Sequence, residues 1–289
     1  MTARRWRKLG IVAGGGALPA RLADACRATG APFAVFRLRG YADAATEGYD
    51  GAECGIAEFG RLLKMLRAAE CDAVVMAGTV RRPNFAGLKP DWRGAALLPK
   101  LVAAARQGDG ALLGVLVETF EAEGFAVLGA EEVAATLAAG EGSLGAYAPD
   151  AAALRDVAKG AALIDALGPF DVGQGVVVRD GFVLAVEAAE GTDAMLTRCA
   201  GLPADLLGAG GGDGPPRRGV LVKRPKPTQE RRVDLPTVGV RTIEGAKAAH
   251  LAGVAVEAGA ALIVDREAVV SAADEAGLFL YGFTAADLG

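Results

Sequence analysis

The fold of the amino-terminal half is decided by residues 9–29, LGIVAGGGALPARLADACRAT. The apolar run from Leu9 to Ala13 is typical of a short buried strand, and residues 18–29 have the spacing of an amphipathic helix. Three glycines between them predict a tight strand-to-helix turn. This order is typical of parallel α/β sheets, whose ligands bind at the carboxyl ends of the strands.

The same alternation continues through the first half of the chain. Residues 32–38, 72–79 and 125–128 are β-rich or apolar runs, and residues 58–70 and 110–123 have helical spacing. Such a succession predicts a mostly parallel sheet with helices on both faces, and therefore the α/β class.

The character of the sequence changes after the glycine-, serine- and proline-containing segment 140–150. We place a domain boundary there, which gives domains 1–143 and 144–289. In the second domain, the dipeptide Asp180–Gly181 separates two alternating runs and predicts a β-hairpin. Further strands are predicted at residues 219–223 and 261–264, and helices at 151–167, 242–258 and 268–276, which makes this domain α+β.

Composition excludes several functional classes. The 289 residues include 31 Lys and Arg against 35 Asp and Glu, and this mild acidity argues against a nucleic-acid binder. The four cysteines form no CxxC pair, and His250 is the only histidine, which excludes His-rich metal centres. The longest apolar stretch, Leu251 to Val264, contains Glu257 and is shorter than the about 18 to 20 residues of a membrane span. We therefore expect a cytoplasmic protein.

The glycine turn is the first candidate site. Backbone N–H groups at a helix start favour anions, so a phosphate site is predicted at Gly14, Gly15, Gly16, Ala17 and Leu18. The spacing is neither GxGxxG nor a Walker A loop. The alternative is a turn with a purely structural role.

A second candidate is the loop that follows the strand at residues 72–79. Thr79 and Arg81 would emerge at the carboxyl end of this strand, followed by Arg82, Pro83 and Asn84. An arginine in that position can pair with a phosphate through two hydrogen bonds. A solvated surface turn is an equally good interpretation.

A third candidate is the stretch Glu190–Gly191–Thr192–Asp193. Two carboxylates and a hydroxyl near a strand end can form part of a hard-cation or phosphate site. The simpler alternative is that Thr192 or Asp193 caps a helix beginning at Ala194, and the residues alone favour capping.

The densest group of charges lies between residues 217 and 232, where seven basic residues face a single acid, Glu230, for a local charge of +6. The basic residues are Arg217, Arg218, Lys223, Arg224, Lys226, Arg231 and Arg232. A basic segment in an acidic chain points to a polyanionic ligand, and the alternative is a solvated basic surface loop. Asp234 lies beside it and could bind a divalent ion or orient a water molecule.

Four segments together resemble the LpxI-type UDP-2,3-diacylglucosamine diphosphatases. They are GIVAGGGALP (10–19), DAVVMAGTVRRPNF (72–85), VVVRDGFVLAVEAAEGTDAML (176–196) and VLVKRPKPTQERRVDLPTVGVRT (220–242). The resemblance spans nearly the whole chain. It implies a Rossmann-like domain followed by an α+β domain. The chain departs from the expected pattern at Glu230, where an aspartate is more usual.

The resemblance also implies a reaction: Mg²⁺- or Mn²⁺-dependent hydrolysis of the pyrophosphate of UDP-2,3-diacylglucosamine, in lipid A biosynthesis. The products would be UMP and 2,3-diacylglucosamine 1-phosphate (lipid X), with water attacking the phosphorus on the sugar side. Carboxylates would hold the ion, since oxygen ligands select hard cations.

Site residues are carried over from the resemblance by position. Asp234 is the leading catalytic and metal-binding residue, and Asp193 is the second candidate metal ligand. Further catalytic candidates around the phosphates are Thr192, Lys223 and Gln229. Substrate-binding candidates are Gly14, Gly15, Gly16, Ala17, Leu18, Thr79, Arg81, Glu190, Lys226 and Arg232.

Two other functions stay open: a non-catalytic nucleotide-sugar-binding or regulatory protein, and a nucleotide-sugar transferase. The sequence also leaves open a peripheral contact with the inner membrane and association as a homodimer.

Overall fold

The computed structural model describes residues 5–81, 85–203, 206, 218–227 and 229–289. The chain forms two compact units. Unit 1 comprises Met1–Ala135 and Glu230–Val233, and unit 2 comprises Thr136–Gln229 and Asp234–Gly289. The predicted residues Arg82, Pro83, Asn84 and Arg217 lie outside the described part of the chain.

Unit 1 contains a parallel sheet with the strand order β3-β2-β1-β4-β5. Its strands are β1 (Leu9–Ala13), β2 (Phe33–Leu38), β3 (Gly51–Cys54), β4 (Ala73–Ala77) and β5 (Ala126–Val127). Its helices are α1 (Leu18–Thr29), α2 (Phe59–Ala68), α3 (Trp92–Ala105), α4 (Asp109–Ala122) and α5 (Ala130–Val133). The predicted Rossmann-like arrangement is confirmed.

The core of unit 1 follows from helical and strand periodicity. On α2, Leu62, Leu63 and Leu66 lie on one face and are buried. They pack with Val12 of β1 and Phe36 of β2 in a single apolar cluster. The helix α1 ends where Gly30 adopts a left-handed conformation with φ of 66°.

Unit 2 contains a larger mixed sheet with the order β6-β13-β11-β9-β7-β8 and a small parallel pair, β10-β12. The strands are β6 (Gly142–Ser143), β7 (Gly175–Arg179), β8 (Phe182–Val186), β9 (Val220–Lys223), β10 (Thr237–Val238), β11 (Gly253–Glu257), β12 (Leu262–Ile263) and β13 (Phe279–Phe283). The strands β9, β11 and β13 are parallel, and β7 is antiparallel to both β8 and β9.

Helices cover both faces of this sheet. They are α6 (Ala151–Leu167), α7 (Gly191–Ala200), α8 (Val240–Ala248) and α9 (Arg266–Glu275). Successive residues of a strand point to opposite faces. Accordingly, Val177 packs with the apolar side chains of α7, α8 and α9, whereas Val176 and Val178 pack against α6.

The predicted hairpin is present between β7 and β8. Asp180 and Gly181 both have positive φ, of 48° and 79°. Positive φ at both central residues is typical of the type I′ turn that matches the twist of a two-stranded hairpin.

The helix predicted at residues 242–258 is wrong in its second half. The helix α8 ends at Ala248, His250 has a left-handed φ of 54°, and the chain then enters β11. His250 therefore lies after the helix rather than on it. The strand β11 lies between β9 and β13 and is nearly all buried, so its apolar run could not be distinguished from a helix by periodicity.

The four cysteines, Cys26, Cys54, Cys71 and Cys199, are buried, and none of them is in a disulfide. Burial raises the pKa of Cys54 and of Cys71 to about 11. Within the described part of the chain, every helix is too short or too polar to cross a bilayer.

Candidate functional site

The candidate residues of unit 1 meet where β1 and β4 end. These strands are neighbours in the sheet, and the strand order changes direction between them, which is where α/β sheets bind ligands. Gly15 donates a backbone hydrogen bond to Thr79 (2.9 Å) and accepts one from it (2.8 Å). A Cβ atom at Gly78 would lie 2.5 Å from the Gly15 carbonyl oxygen, so only glycine fits there.

The N–H groups of the glycine turn already have partners in the chain. Gly14 N donates to the Ala77 carbonyl (2.8 Å), and Gly16 N donates to Asp43 Oδ2 (2.5 Å). A carboxylate thus lies at the start of α1, where a phosphate was predicted. A phosphate at this turn would compete with Asp43. Thr79 and Arg81 are exposed at the same sheet edge, beyond the end of β4.

The candidate residues of unit 2 gather at one edge of the larger sheet. Lys223 is the last residue of β9 and is the Cα partner of Gly175 at the start of β7. Glu187 follows β8 directly, and its N–H donates to the Gly175 carbonyl (2.8 Å). The strand pairing therefore brings Lys223 and Glu187 to opposite sides of the same glycine.

The hydroxyl of Thr192 joins these two side chains. Lys223 Nζ donates to Thr192 Oγ1 (2.9 Å) and to the Thr237 carbonyl (3.1 Å). Thr192 Oγ1 donates in turn to Glu187 Oε1 (2.9 Å). The capping interpretation of Thr192 and Asp193 is wrong, because α7 begins at Gly191 and has no side-chain cap.

Lys223 is a buried cation surrounded by negative charge. Burial lowers the pKa of Lys223, and the carboxylates of Glu187, Asp193 and Asp234 oppose that shift. These three acids are therefore close enough to act on one ammonium group. Asp234 and Asp193, far apart in sequence, thus both act electrostatically on Lys223.

Gln229 connects Asp234 to the basic segment. Its Nε2 donates to Asp234 Oδ2 (2.6 Å) and to Gln174 Oε1 (2.9 Å), and its Oε1 accepts from Lys226 N (2.8 Å). Lys226 is buried, and its Nζ pairs with Asp171. The basic residues Lys223 and Lys226 are thus built into unit 2 rather than displayed on a solvated loop.

Other predicted residues lie in exposed or separate ion pairs. Glu190 pairs with Arg198 (2.9 Å), which lowers the pKa of Glu190. Asp193 faces Arg241 at 3.4 Å, with both side chains largely exposed.

Arg232 belongs to unit 1, where it pairs with both Glu230 and Glu121 at 2.7 Å. The hydrogen bond from Arg232 lowers the pKa of Glu230. Arg232 therefore already carries two carboxylate partners.

A divalent cation fits the chemistry of the unit 2 edge. Within the described ranges, no group of three or more His, Cys, Asp or Glu residues forms a ready metal cage. Mg²⁺, however, is often bound by one or two carboxylates together with substrate phosphates. Asp234 and Asp193 are two such carboxylates, and both act electrostatically on the Lys223 ammonium.

Sequence reasoning missed Glu187, Gln174 and Asp171 as members of this cluster. Each looks like an ordinary polar residue next to a strand. A signal was nevertheless present in Gly173–Gln174–Gly175, because two glycines at a strand start indicate close approach of another group.

Comparison with known proteins matches both parts of the chain. Residues 8–137 match the LpxI N-terminal domain, and residues 140–281 match the LpxI C-terminal domain. A relative from Caulobacter vibrioides, the UDP-2,3-diacylglucosamine pyrophosphatase LpxI, is 52% identical over 276 residues. The match covers 96% of this chain and 97% of the relative.

Proposed function

Because the chain belongs to the LpxI family, we propose that it hydrolyses the pyrophosphate bond of UDP-2,3-diacylglucosamine. The products are UMP and 2,3-diacylglucosamine 1-phosphate, and the reaction serves lipid A biosynthesis. The structural observation that supports this is the buried Lys223 ammonium at the sheet edge of unit 2, which donates to Thr192 and to the Thr237 carbonyl.

Pyrophosphate hydrolysis requires neutralisation of phosphate charge and a water molecule in line with the leaving group. We assign charge neutralisation to Lys223, whose ammonium is held by Thr192 and the Thr237 carbonyl. Asp234 orients the attacking water, or would hold a divalent ion when one is bound, and Gln229 fixes the Asp234 carboxylate. Mg²⁺ or Mn²⁺, held by Asp234 and Asp193, would supply further charge neutralisation when bound.

The unit 1 residues have a separate role in the proposal. Gly14 to Leu18, Thr79 and Arg81 bind the nucleotide part of the substrate at the point where the strand order changes direction. Asp43 must then move off Gly16 N, or exchange its hydrogen bond, when a phosphate enters.

The direct test is UMP release from UDP-2,3-diacylglucosamine by the purified chain. We expect UMP and the acylated sugar phosphate in equal amounts. In water enriched in ¹⁸O, the label should enter the sugar phosphate and not UMP, because water attacks the sugar-side phosphorus. Binding without UMP release would instead indicate the non-catalytic nucleotide-sugar-binding protein. Release that depends on an acceptor would indicate a transferase.

We further propose a cytoplasmic location with peripheral contact to the inner membrane through the outer face of α3. Trp92 at the start of this helix is 70% exposed, and the helix contains no Asp or Glu. Lys100 and Arg106 are exposed on the same segment. A shallow groove open to solvent lies along it, lined by Ala95, Leu98, Pro99, Val102, Ala103 and Arg106.

An apolar helix face with an exposed tryptophan and cations suits an anionic bilayer surface. Tryptophan fluorescence should therefore shift to the blue with phosphatidylglycerol vesicles and much less with phosphatidylcholine vesicles. The variant Trp92→Phe should lose the shift, whereas Trp6→Phe should keep it. No shift in the natural chain would contradict this contact. Association as a homodimer also stays a proposal, which light scattering can test.

A further inference from the structure

Glu187 is a buried carboxylate whose two oxygens are used differently. The residue is 7% exposed and follows the last residue of β8. Its Oε1 accepts the hydrogen bond from Thr192 Oγ1. Its Oε2 is buried and has no hydrogen-bond partner in the described ranges. A buried, unpartnered carboxylate oxygen is costly, so its presence calls for a compensating role.

The backbone beside Glu187 is shaped to admit it. A Cβ atom at Gly175 would lie 2.5 Å from Glu187 Oε2, and one at Gly173 would lie 2.0 Å from the Glu187 carbonyl oxygen. Gly173 also has a left-handed φ of 49°. Two glycines therefore leave the space that this side chain fills.

The direction of the hydrogen bonds gives Glu187 its effect. The hydroxyl of Thr192 has one proton, and that proton points to Glu187 Oε1. The Thr192 oxygen can then accept a hydrogen bond from Lys223 Nζ. If the proton turned towards Lys223, two donors would face each other. Glu187 thus sets the orientation in which Thr192 can hold the ammonium.

The ammonium retains a donor for a ligand. Of the three N–H bonds of a lysine ammonium, one goes to Thr192 and one to the Thr237 carbonyl. Within the described ranges, Lys223 Nζ has these two acceptors. The third N–H has no acceptor within those ranges, and its direction is fixed by the first two. Because Lys223 is only 3% exposed, this N–H would serve a phosphate oxygen that enters the cluster.

We propose that Glu187 is a positioning residue for phosphate hydrolysis. Acting through Thr192, it holds the Lys223 ammonium with its third N–H directed at the substrate. The inference rests on the proposed function and adds to it a residue that the sequence did not single out.

The test is a double-mutant cycle on Glu187 and Thr192, measured as kcat and KM for UMP release. We expect Glu187→Gln and Thr192→Val each to lower kcat by about 10- to 100-fold, as loss of an outer supporting contact typically does. The KM should change by less than about threefold, a minor change next to the loss in kcat. Because both act on one ammonium, the double variant should be no slower than the worse single variant.

Two controls separate positioning from a structural role. Thr192→Ser keeps the hydroxyl and should restore kcat to within about threefold of the natural chain, as expected if the hydroxyl carries the effect. Glu257→Gln changes a carboxylate at the end of the neighbouring strand β11, where it pairs with Arg224 (2.9 Å), and should leave kcat unchanged. The inference would be overturned if the two single-variant losses in kcat multiplied in the double variant. It would also be overturned if Glu257→Gln lowered kcat as much as Glu187→Gln does.

A readout without substrate keeps the two proposals distinguishable. The ¹⁵N-detected signal of the Lys223 ammonium, assigned with Lys223→Met, should broaden in Glu187→Gln and Thr192→Val and persist in Thr192→Ser. If the natural chain releases no UMP but this pattern holds, the proposed function fails and the positioning stands. If UMP is released but the signal and kcat are unchanged in Glu187→Gln, the positioning role fails.

Discussion

Lys223 donates a 2.9 Å hydrogen bond from its buried ammonium to the hydroxyl of Thr192, and so ties the end of β9 to the first turn of α7. The two residues are 31 positions apart in the chain. This bond joins Lys223 to the Thr192–Glu187 pair in one cluster of unit 2. The chemistry of the proposed reaction depends on that convergence.

The first prediction concerns Asp234. The variant Asp234→Asn should fold normally and bind substrate, but its kcat should fall about 100-fold or more, because the charge that acts on water or a metal ion is lost. UMP release and substrate binding by calorimetry measure the two effects. The control is Asp180→Asn, in the hairpin turn at the other end of β7, where the side chain is 44% exposed. Activity of Asp234→Asn within a few-fold of the natural chain would exclude the assigned role.

The second prediction concerns the divalent ion. Incubation with EDTA should abolish UMP release, and added Mg²⁺ or Mn²⁺ should restore it, because oxygen ligands favour hard cations. Ca²⁺ serves as a test of selectivity. Full activity after chelation and gel filtration would argue that Lys223 and Lys226 alone neutralise the phosphates.

The third prediction concerns Asp43, which occupies Gly16 N at the glycine turn. The variant Asp43→Asn removes a negative charge from the predicted phosphate site and should tighten UMP binding several-fold. Isothermal calorimetry with UMP, compared with uridine, measures the effect. Uridine affinity should not change. Equal UMP affinity in the variant and the natural chain would place the phosphate away from this turn.

The fourth prediction concerns the stability of unit 2. Asp171 pairs with the buried Lys226, so Asp171→Asn should lower the free energy of unfolding by about 3 kcal/mol, since it leaves a buried cation without its charge partner. Asparagine tolerates the left-handed φ of 54° at this position. Urea unfolding provides the measurement.

A matched control for that experiment is Asp165→Asn. Asp165 also pairs with a cation, Arg224, at 2.9 Å, but its side chain is 43% exposed. Its loss should cost less than about 1 kcal/mol. Equal destabilisation by both variants would show that burial does not determine the contribution of Lys226.

The fifth prediction concerns the acid stability of unit 1. Arg67 (2.5 Å) and Arg93 bind Glu123, and the hydrogen bond from Arg67 lowers the pKa of Glu123. The pair therefore stabilises the folded state above the unfolded pKa, and this contribution disappears as pH falls through the lower folded pKa. The variant Glu123→Gln should be less stable by about 1 kcal/mol at pH 7.

The difference between the two proteins should begin to shrink as the pH falls below about 4.3, the ordinary pKa of a glutamate. It should vanish only once the carboxylate is protonated in the folded state too, because the folded pKa is lower. Urea midpoints from pH 7 to 3 follow this difference. The comparison variant is Glu118→Gln, an exposed position on the helix α4, which ends just before Glu123. A difference that stays constant with pH would show that the charge of Glu123 contributes nothing.

The strand–turn–helix start of the chain was predictable because local periodicity determines it. Leu9–Ala13 and Leu18–Thr29 occur at the predicted positions. The strand β3 was not predicted, because its four residues, GAEC, are short and half polar. The helix α3 was not predicted either, since Pro99 lies inside it, and proline is normally taken as the end of a helix.

The sequence singled out residues that stand in distinctive stretches, but it could not single out residues that only packing brings to them. Thr192, Lys223 and Gln229 stand in distinctive stretches, and the structure places them at one sheet edge. Glu187 stands in a plain strand end, VLAVEAA, and only the pairing of β7 with β8 and β9 reveals its partners. The glycine turn was identified, but the distant Asp43 that fills it could not be anticipated.

The burial of all four cysteines gives the protein a practical property. With thiols that are inaccessible and, at Cys54 and Cys71, deprotonated only near pH 11, the native chain should react slowly with maleimides at neutral pH. A single cysteine introduced at an exposed position, such as Ala96 on α3, would then take up a fluorescent or spin label selectively. The molecule is thus ready for site-directed spectroscopy without prior removal of its own cysteines.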